Sequence, residues 1–394
     1  MKKIVHIQPG AFGDEFGYQE NLLLKYHKKL GYDVVMVTSV AKLSATGKST
    51  LTCSGSYYLD NNIKIVRLPF SPMLPLNISQ RLRALAGLRE ILLQEKPDVI
   101  FVHGVQSLSI FQLVFYLKSL KLKDRPIVYV DNHLDFSNAG ITLYSYIVDR
   151  TLWRLAAKKL VPYTKKFYGV LPARVDYLVN VYKVPRNKVD FLPMGADDEK
   201  IVFEPSQREF LRQKTRTEYG FNQDDFIILT GGKIDIPKKQ TLLLMKAIKK
   251  IRDDKVKLLV FGSVVDELKK EFMSLVDENK IKYIGWVRSD KVYDLAVASD
   301  LAVFPGRHSV IWEQIVGTGV PAIFKYWEGT THVDIGGNCL FLYDDSEDEI
   351  HNILGKIIND KDFYNNMKNI AFEKGPKTFL YSEIAKKAIE YGEA

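Results

Sequence analysis

Four loops of this chain place small, cationic or imidazole side chains directly after runs of apolar, β-branched residues. The first is "QPGAFGDEFGYQEN", where Gly13 and Gly17 allow close approach of backbone to a ligand. The second is "DNHLDF", which sets His133 just past an apolar run. The third, "LTGGKIDIPKKQ", holds Gly232 and Lys233 at one end and Lys239 at the other, a pair of cations spaced to clamp a diphosphate. The fourth is "PGRHSVIWEQIVGTGVP". There Ser309 is expected as a helix N-cap that frees the amides of Val310 and Ile311 for a phosphate, with His308 at the same mouth. Glu313, about one turn further on, is expected to accept both hydroxyl protons of a vicinal diol such as a ribose. The glycine spacing in the first loop is not G-x-G-x-x-G, so the dinucleotide fingerprint is absent.

These loops need strands to carry them. "KIVHIQ", "YDVVMVTS", "IKIVRL", "DVIFVHG", "PIVYVD" and "KVDFLP" alternate with amphipathic segments in the first half. The pattern restarts with "DFIILTGG", "VKLLVFG", "IKYIGW", "DLAVFP" and "VPAIFK". Strand–helix alternation with apolar strands predicts α/β architecture, with parallel sheets covered on both faces. The polar stretch 194–210 marks the joint, so two doubly wound, Rossmann-like domains facing across a cleft are expected: 1–198 and 199–374. Residues 375–394 read as a final amphipathic helix packing back toward the first domain. Ligands of such sheets gather beyond the carboxyl ends of the strands, where all four loops lie.

Composition narrows the partners. Residues 1–200 hold 28 lysines and arginines against 17 acidic residues, and the remainder holds 28 against 30. A basic half predicts an anionic partner, with the interleaved basic and aromatic residues of "RTLWRLAAKKLVPYTKKF", Trp153 among them, resting on an anionic membrane. No nucleic-acid recognition motif is present, and nucleic acid is not expected. Cys53 and Cys339 form no metal or redox motif, no apolar run approaches a membrane span, and the start reads as a strand rather than a signal. A cytoplasmic protein at the inner face of the cell membrane is expected.

In order and spacing the motifs resemble those of GT-B-fold glycosyltransferases, most closely the retaining enzymes of family 4. "VDFLPMGADDEKIVF" is similar to the family's joint, with Met194 for its asparagine. "GGKIDIPKKQTLLLMKAI" resembles its cationic loop, with Lys233 for arginine and Lys239 for lysine. "KYIGWVRSDKVYDLAVASDLAVFPG" and "EQIVGTGVPAIFK" follow in the family's order. The family's two glutamates, separated by seven residues, are altered: the second falls on Gln314 beside Glu313, and the first falls in "PGRHS", which has no carboxylate.

The resemblance implies transfer of a sugar from a nucleotide-diphosphate sugar, with retention, to a saccharide or a polyprenyl-diphosphate-linked acceptor bound by the first domain. It implies His133 and Lys239 as catalytic residues, donor contacts from the Gly232 loop and the His308–Glu313 stretch, and sugar or acceptor contacts near Gly13 and Gly17. Neither a cofactor nor a metal is expected. The acidic "LYDDSEDE" reads as the first turn of a helix instead of a metal-binding Asp-x-Asp. A nucleotide-sugar 2-epimerase and a nucleotide-sugar-binding protein without turnover share the architecture.

Overall fold

The computed structural model describes residues 1–14, 17–43, 49–140, 142–277 and 279–390. The chain divides into two compact units, Met1–Pro193 with Tyr381–Ala394, and Met194–Leu380. The division thus falls at the start of the polar stretch 194–210, a few residues before the expected boundary at 198/199.

The first unit is built on an eight-stranded sheet. Its strands are β1 (Lys3–Gln8), β2 (Asp33–Ser39), β5 (Gly55–Tyr58), β6 (Lys64–Leu68), β7 (Val99–His103), β8 (Ile127–Asn132), β9 (Thr164–Gly169) and β10 (Val189–Phe191). A short antiparallel pair, β3 (Ala41–Leu43) and β4 (Ser49–Leu51), stands apart. The order across the sheet is β10-β9-β8-β7-β1-β2-β6-β5, parallel except for β5 at the edge. The direction of winding reverses between β1 and β7, and a doubly wound sheet opens its ligand crevice at such a point.

The second unit has six parallel strands: β11 (Phe226–Gly231), β12 (Val256–Phe261), β13 (Ile281–Tyr283), β14 (Leu301–Phe304), β15 (Ala322–Lys325) and β16 (Cys339–Leu342). Their order, β13-β12-β11-β14-β15-β16, is the 3-2-1-4-5-6 of a Rossmann sheet, reversing between β11 and β14. Both central strands are buried along nearly their whole length, which explains their unbroken apolar runs.

Helix Lys361–Thr378 belongs to the second unit, and the expected terminal helix begins only at Tyr381. Tyr381, Ile384, Ala385, Ala388 and Ile389 enter the first unit's core beside Tyr26, Tyr129 and Tyr168. Tyr129 donates its hydroxyl hydrogen to the Ile389 carbonyl at 2.9 Å, which anchors this last helix.

Candidate active site

In the second unit the loops after β11 and β14 meet at the reversal point because two glycines let them. Gly232 has φ +98°, a left-handed conformation, and a Cβ there would lie 3.0 Å from Ile311 Cδ1. A Cβ on Gly306 would lie 2.9 Å from Lys238 Cα, closer than real carbons pack. The Gly231–Lys239 loop and the Pro305–Val310 loop are therefore one wall.

The charges on this wall differ from the sequence expectation at one lysine. Lys233 is largely exposed, 3.8 Å from Asp235. Lys238 lies half-buried against Gly306, and desolvation lowers its pKa below the usual lysine value. Asp235 opposes that shift, while Lys233 and Arg307 add to it as like charges. Lys238 makes no ion pair of its own among the described residues. Lys239, expected to face the diphosphate, is exposed instead, and its charge acts on Asp345, which also holds Lys325 at 3.0 Å and Gln240 at 3.0 Å. Lys239 is the C-cap of the 3₁₀ turn Ile236–Lys238, and of the two lysines it is Lys238 whose stem lies against the Gly306 loop.

The stretch around Glu313 also departs from expectation. The helix begins at Ile311, its N-cap is Val310, and no side chain caps it, so Ser309 is not the cap. Glu313 is 0% exposed. Its Oε1 accepts from His308 Nε2 at 2.9 Å and from His332 Nε2 at 2.8 Å. Burial would push this carboxyl up, but the charge and hydrogen bond of His308, together with His332, outweigh burial and hold its pKa at about 2. The carboxylate is enclosed rather than open to a ribose in this structure, and it is the centre of a buried histidine–glutamate–histidine cluster. The three side chains offer ligand atoms within 4.8 Å of one another, a set of the kind that holds a divalent cation, although both imidazoles already donate to the same oxygen. His332, a member of this cluster, carries no sequence signal, because it comes 19 residues after Glu313.

In the first unit His133 follows β8 with its side chain 39% exposed, its Nε2 3.5 Å from Asp131 Oδ2. Its own carbonyl accepts from Asn138 Nδ2 at 3.0 Å, which fixes the turn. The loop after β1 is tied down as well. The Gly13 carbonyl accepts from Asn21 Nδ2 at 2.8 Å, and the Gly10 carbonyl accepts from Ser39 Oγ at 2.7 Å. Gly17 leads into helix Gln19–Lys29. Behind His133 lies a line of three buried histidines that no sequence motif announces.

Trp153, expected at a membrane surface, is 6% exposed and lies in the core. An exposed apolar group precedes it in the chain instead, with Leu143, Tyr144, Tyr146 and Ile147 on helix Leu143–Val148. Arg81 stacks on Tyr144 at 3.9 Å and Arg150 on Tyr146 at 3.6 Å, so the patch is both apolar and basic. Among the described residues no helix is long and apolar enough to cross a membrane.

Two Rossmann-like units built on doubly wound sheets define the GT-B class. The chain belongs to the glycosyltransferases of that class: residues 22–200 match the model of Glycosyltransferase Family 4, and residues 212–374 match that of Glycosyl transferases group 1. It is 22% identical over 233 residues to a mannosylfructose-phosphate synthase of Agrobacterium fabrum, covering 55% of this chain and 50% of that enzyme. The chain spans about half the length of the curated relatives it matches. Its fold is similar to that of a sucrose-phosphate synthase from Thermosynechococcus elongatus, with a TM-score of 0.71, 14% identity and coverage of 98% and 97% of the two chains. The Anabaena protein Alr3699/HepE, solved in complex with UDP-glucose, gives a TM-score of 0.68 at 15% identity, with 99% of each chain covered.

Proposed function

We propose that this protein transfers a sugar from a nucleotide-diphosphate sugar to a saccharide or lipid-linked saccharide, with retention of configuration, in the assembly of a bacterial-type surface polysaccharide. The observation that carries the proposal is the cationic wall of Lys233, Lys238 and Arg307 over two glycine loops at the β11/β14 reversal point. Departure of the nucleotide leaves positive charge on the sugar and negative charge on the diphosphate. Cations held in place before the reaction stabilise that charge without reorganising, and in many enzymes this effect contributes more to the rate than any other. In this reading the loop cations supply the positive charge and the reaction needs no metal.

Lys238 takes the place at the leaving diphosphate, with Gly232 admitting the phosphates and Lys233 at the mouth. Ser309 and Val310 are assigned to the phosphate side by their position on the β14 loop. His133 orients the sugar, and the β1 loop at Gly13 and Gly17 serves the sugar or acceptor. Retention rests on family membership, with the departing phosphate helping to deprotonate the acceptor. The acceptor side is assigned to the first unit, whose exposed Leu143, Tyr144, Tyr146 and Ile147, with Arg81 and Arg150, suit an anionic membrane face bearing a polyprenyl-diphosphate-linked acceptor. In this reading the protein works in the cytoplasm, against the inner face of the membrane.

A thermal-shift panel of UDP-, GDP-, ADP- and CDP-sugars tests the donor. A ligand at about 100 times its Kd stabilises the fold by about 2.7 kcal/mol. If no nucleotide sugar raises Tm at millimolar concentration, the donor reading fails. Transfer to lipid-linked saccharide in anionic vesicles, followed with labelled donor, then separates an enzyme from a binding protein.

A further inference from the structure

His6, His27, His103 and Asp131 form one hydrogen-bonded line across the buried middle of the first unit. His27 Nε2 lies 3.0 Å from the Ala385 carbonyl, and His27 Nδ1 lies 3.0 Å from His6 Nε2. His6 Nδ1 lies 3.0 Å from His103 Nε2, and His103 Nδ1 lies 2.9 Å from Asp131 Oδ2. The exposures are 0% for His6, His27 and Asp131 and 3% for His103. Beyond Asp131 stands His133, which opens to solvent. His6 is on β1 and His103 on β7, the two strands flanking the reversal point.

The protons of this line can be counted. A carbonyl oxygen accepts only, and so does an ionised carboxylate. Three imidazoles between these two acceptors make four hydrogen bonds, each needing one hydrogen. Three neutral rings supply one hydrogen apiece. One more proton is therefore required for all four bonds to exist.

We infer that His103 carries that proton as an imidazolium paired with the Asp131 carboxylate, and that this buried pair fixes His133 as a neutral ring with its hydrogen on Nε2 and its open acceptor on Nδ1. The role given to His133 rests on the function proposed above; the proton count does not. The position of the charge follows from the neighbours. Among the described residues His6 meets His27, His103 and the Phe101 ring, and His27 meets His6, the Ala385 carbonyl, the edge of Tyr32 and the Phe101 ring. Neither has a carboxylate partner among the described residues. Desolvation holds His6 well below the ordinary imidazole pKa and His27 at about 4, so both rings are neutral. Burial would raise the Asp131 carboxyl, but the charge of His103 and the hydrogen bonds of His103 and His133 outweigh it and hold Asp131 ionised. His27 then donates from Nε2 to Ala385, His6 from Nε2 to His27, and His103 from Nε2 to His6 and from Nδ1 to Asp131.

The consequence for the site is electrical. A lone buried carboxylate 3.5 Å from His133 would draw a proton onto that ring. With His103 balancing it, Asp131 orients His133 through Nε2 without charging it. His133 Nδ1 stays free to accept a hydrogen from a sugar hydroxyl. His6, His27 and His103 are in this sense positioning residues. The line also ends on the last helix, so Ala385 helps to set the proton count.

Imidazole ¹⁵N–¹H correlation spectra of the intact, unliganded protein read the protons directly. At roughly pH 7.5, about a unit above the ordinary imidazole value, His103 is expected to show both nitrogens protonated. His6 and His27 are expected to show hydrogen on Nε2 alone. A singly protonated His103 overturns the inference, whether the proton is found on Asp131 or on another ring. This readout needs no substrate, so it stands even if no nucleotide sugar proves to be the donor. His27→Phe supplies the second arm. It removes the Ala385 acceptor and one ring, leaving two bonds for two neutral imidazoles, so His103 gives up its extra proton. The acid limb of the kcat/KM pH profile should then move to higher pH, because an unbalanced Asp131 protonates His133. An unmoved acid limb in a folded, active His27→Phe protein also overturns the inference.

Discussion

Lys238→Met should cost turnover while leaving the fold intact, and Lys239→Met should do neither. Lys238 packs on Gly306 with its ammonium desolvated and pressed by Lys233 and Arg307, whereas Lys239 is exposed beside Asp345. A cation kept under like-charge repulsion and desolvation gains most when an anion arrives. It gains further when the leaving diphosphate takes on charge, and only such differential gains raise kcat. Losing one charge-assisted hydrogen bond costs about 1.5–3 kcal/mol. At about 1.36 kcal/mol per factor of ten, kcat should fall roughly 10- to 150-fold. Methionine keeps the length of the stem that lies along Gly306 and removes only the charge. Tm in the absence of ligand should therefore hold or rise slightly. The assay is initial rates with the donor picked out by the nucleotide-sugar panel, alongside calorimetric titration of the free nucleoside diphosphate. Lys239→Met should stay within about twofold of the parent, as for an exposed, screened charge. Should Lys239→Met lose turnover and Lys238→Met keep it, the reasoning from burial and like-charge pressure is wrong, and the diphosphate lies on the Asp345 side of the loop.

Three further outcomes are expected. His133→Ala should abolish most transfer yet leave nucleoside diphosphate affinity nearly unchanged, since His133 and the cationic wall belong to different units; titration calorimetry with rate measurements checks it. Acid should unfold the second unit partly through Glu313: its folded pKa of about 2 lies below the ordinary 4.5, so the unfolded chain takes up the proton first and stability present above 4.5 is lost as pH falls toward 2. The contribution is about 3 kcal/mol, and urea midpoints measured across that window should fall less steeply for Glu313→Gln, itself less stable at neutral pH. Replacing Leu143, Tyr144 and Ile147 together with serine should weaken binding to anionic vesicles at low salt without changing Tm by more than a few degrees, as all three are exposed; equal binding by parent and variant in a vesicle sedimentation assay would remove the membrane assignment.

Much of this molecule is legible in its residues. Apolar runs alternating with amphipathic segments require parallel strands buried on both faces, and a ligand loop must follow such a strand at its carboxyl end. Gly232 and Lys233 after β11, His308 after β14 and His133 after β8 could therefore be picked out without coordinates. The acidic first turn at Glu347–Glu349, behind the Ser346 cap, is local and was equally readable. Side-chain direction within a tight turn was not. Which of Lys238 and Lys239 faces the Gly306 loop depends on backbone dihedrals that two identical residues do not encode, and it was settled by the close approach of Gly306. Trp153 has the composition of an interface residue, but the core of the first unit takes its ring and leaves Tyr144 and Tyr146 outside. Clusters assembled from distant segments were wholly tertiary. His332 reaches Glu313 across 19 residues, His27 reaches Ala385 across 358, and His6 meets His103 only because the winding of the sheet makes β1 and β7 neighbours. Periodicity tells which face of an element is apolar. The distance between two polar atoms on different elements is fixed only when those elements pack, and with it are fixed the burial and shared protons that set their charge.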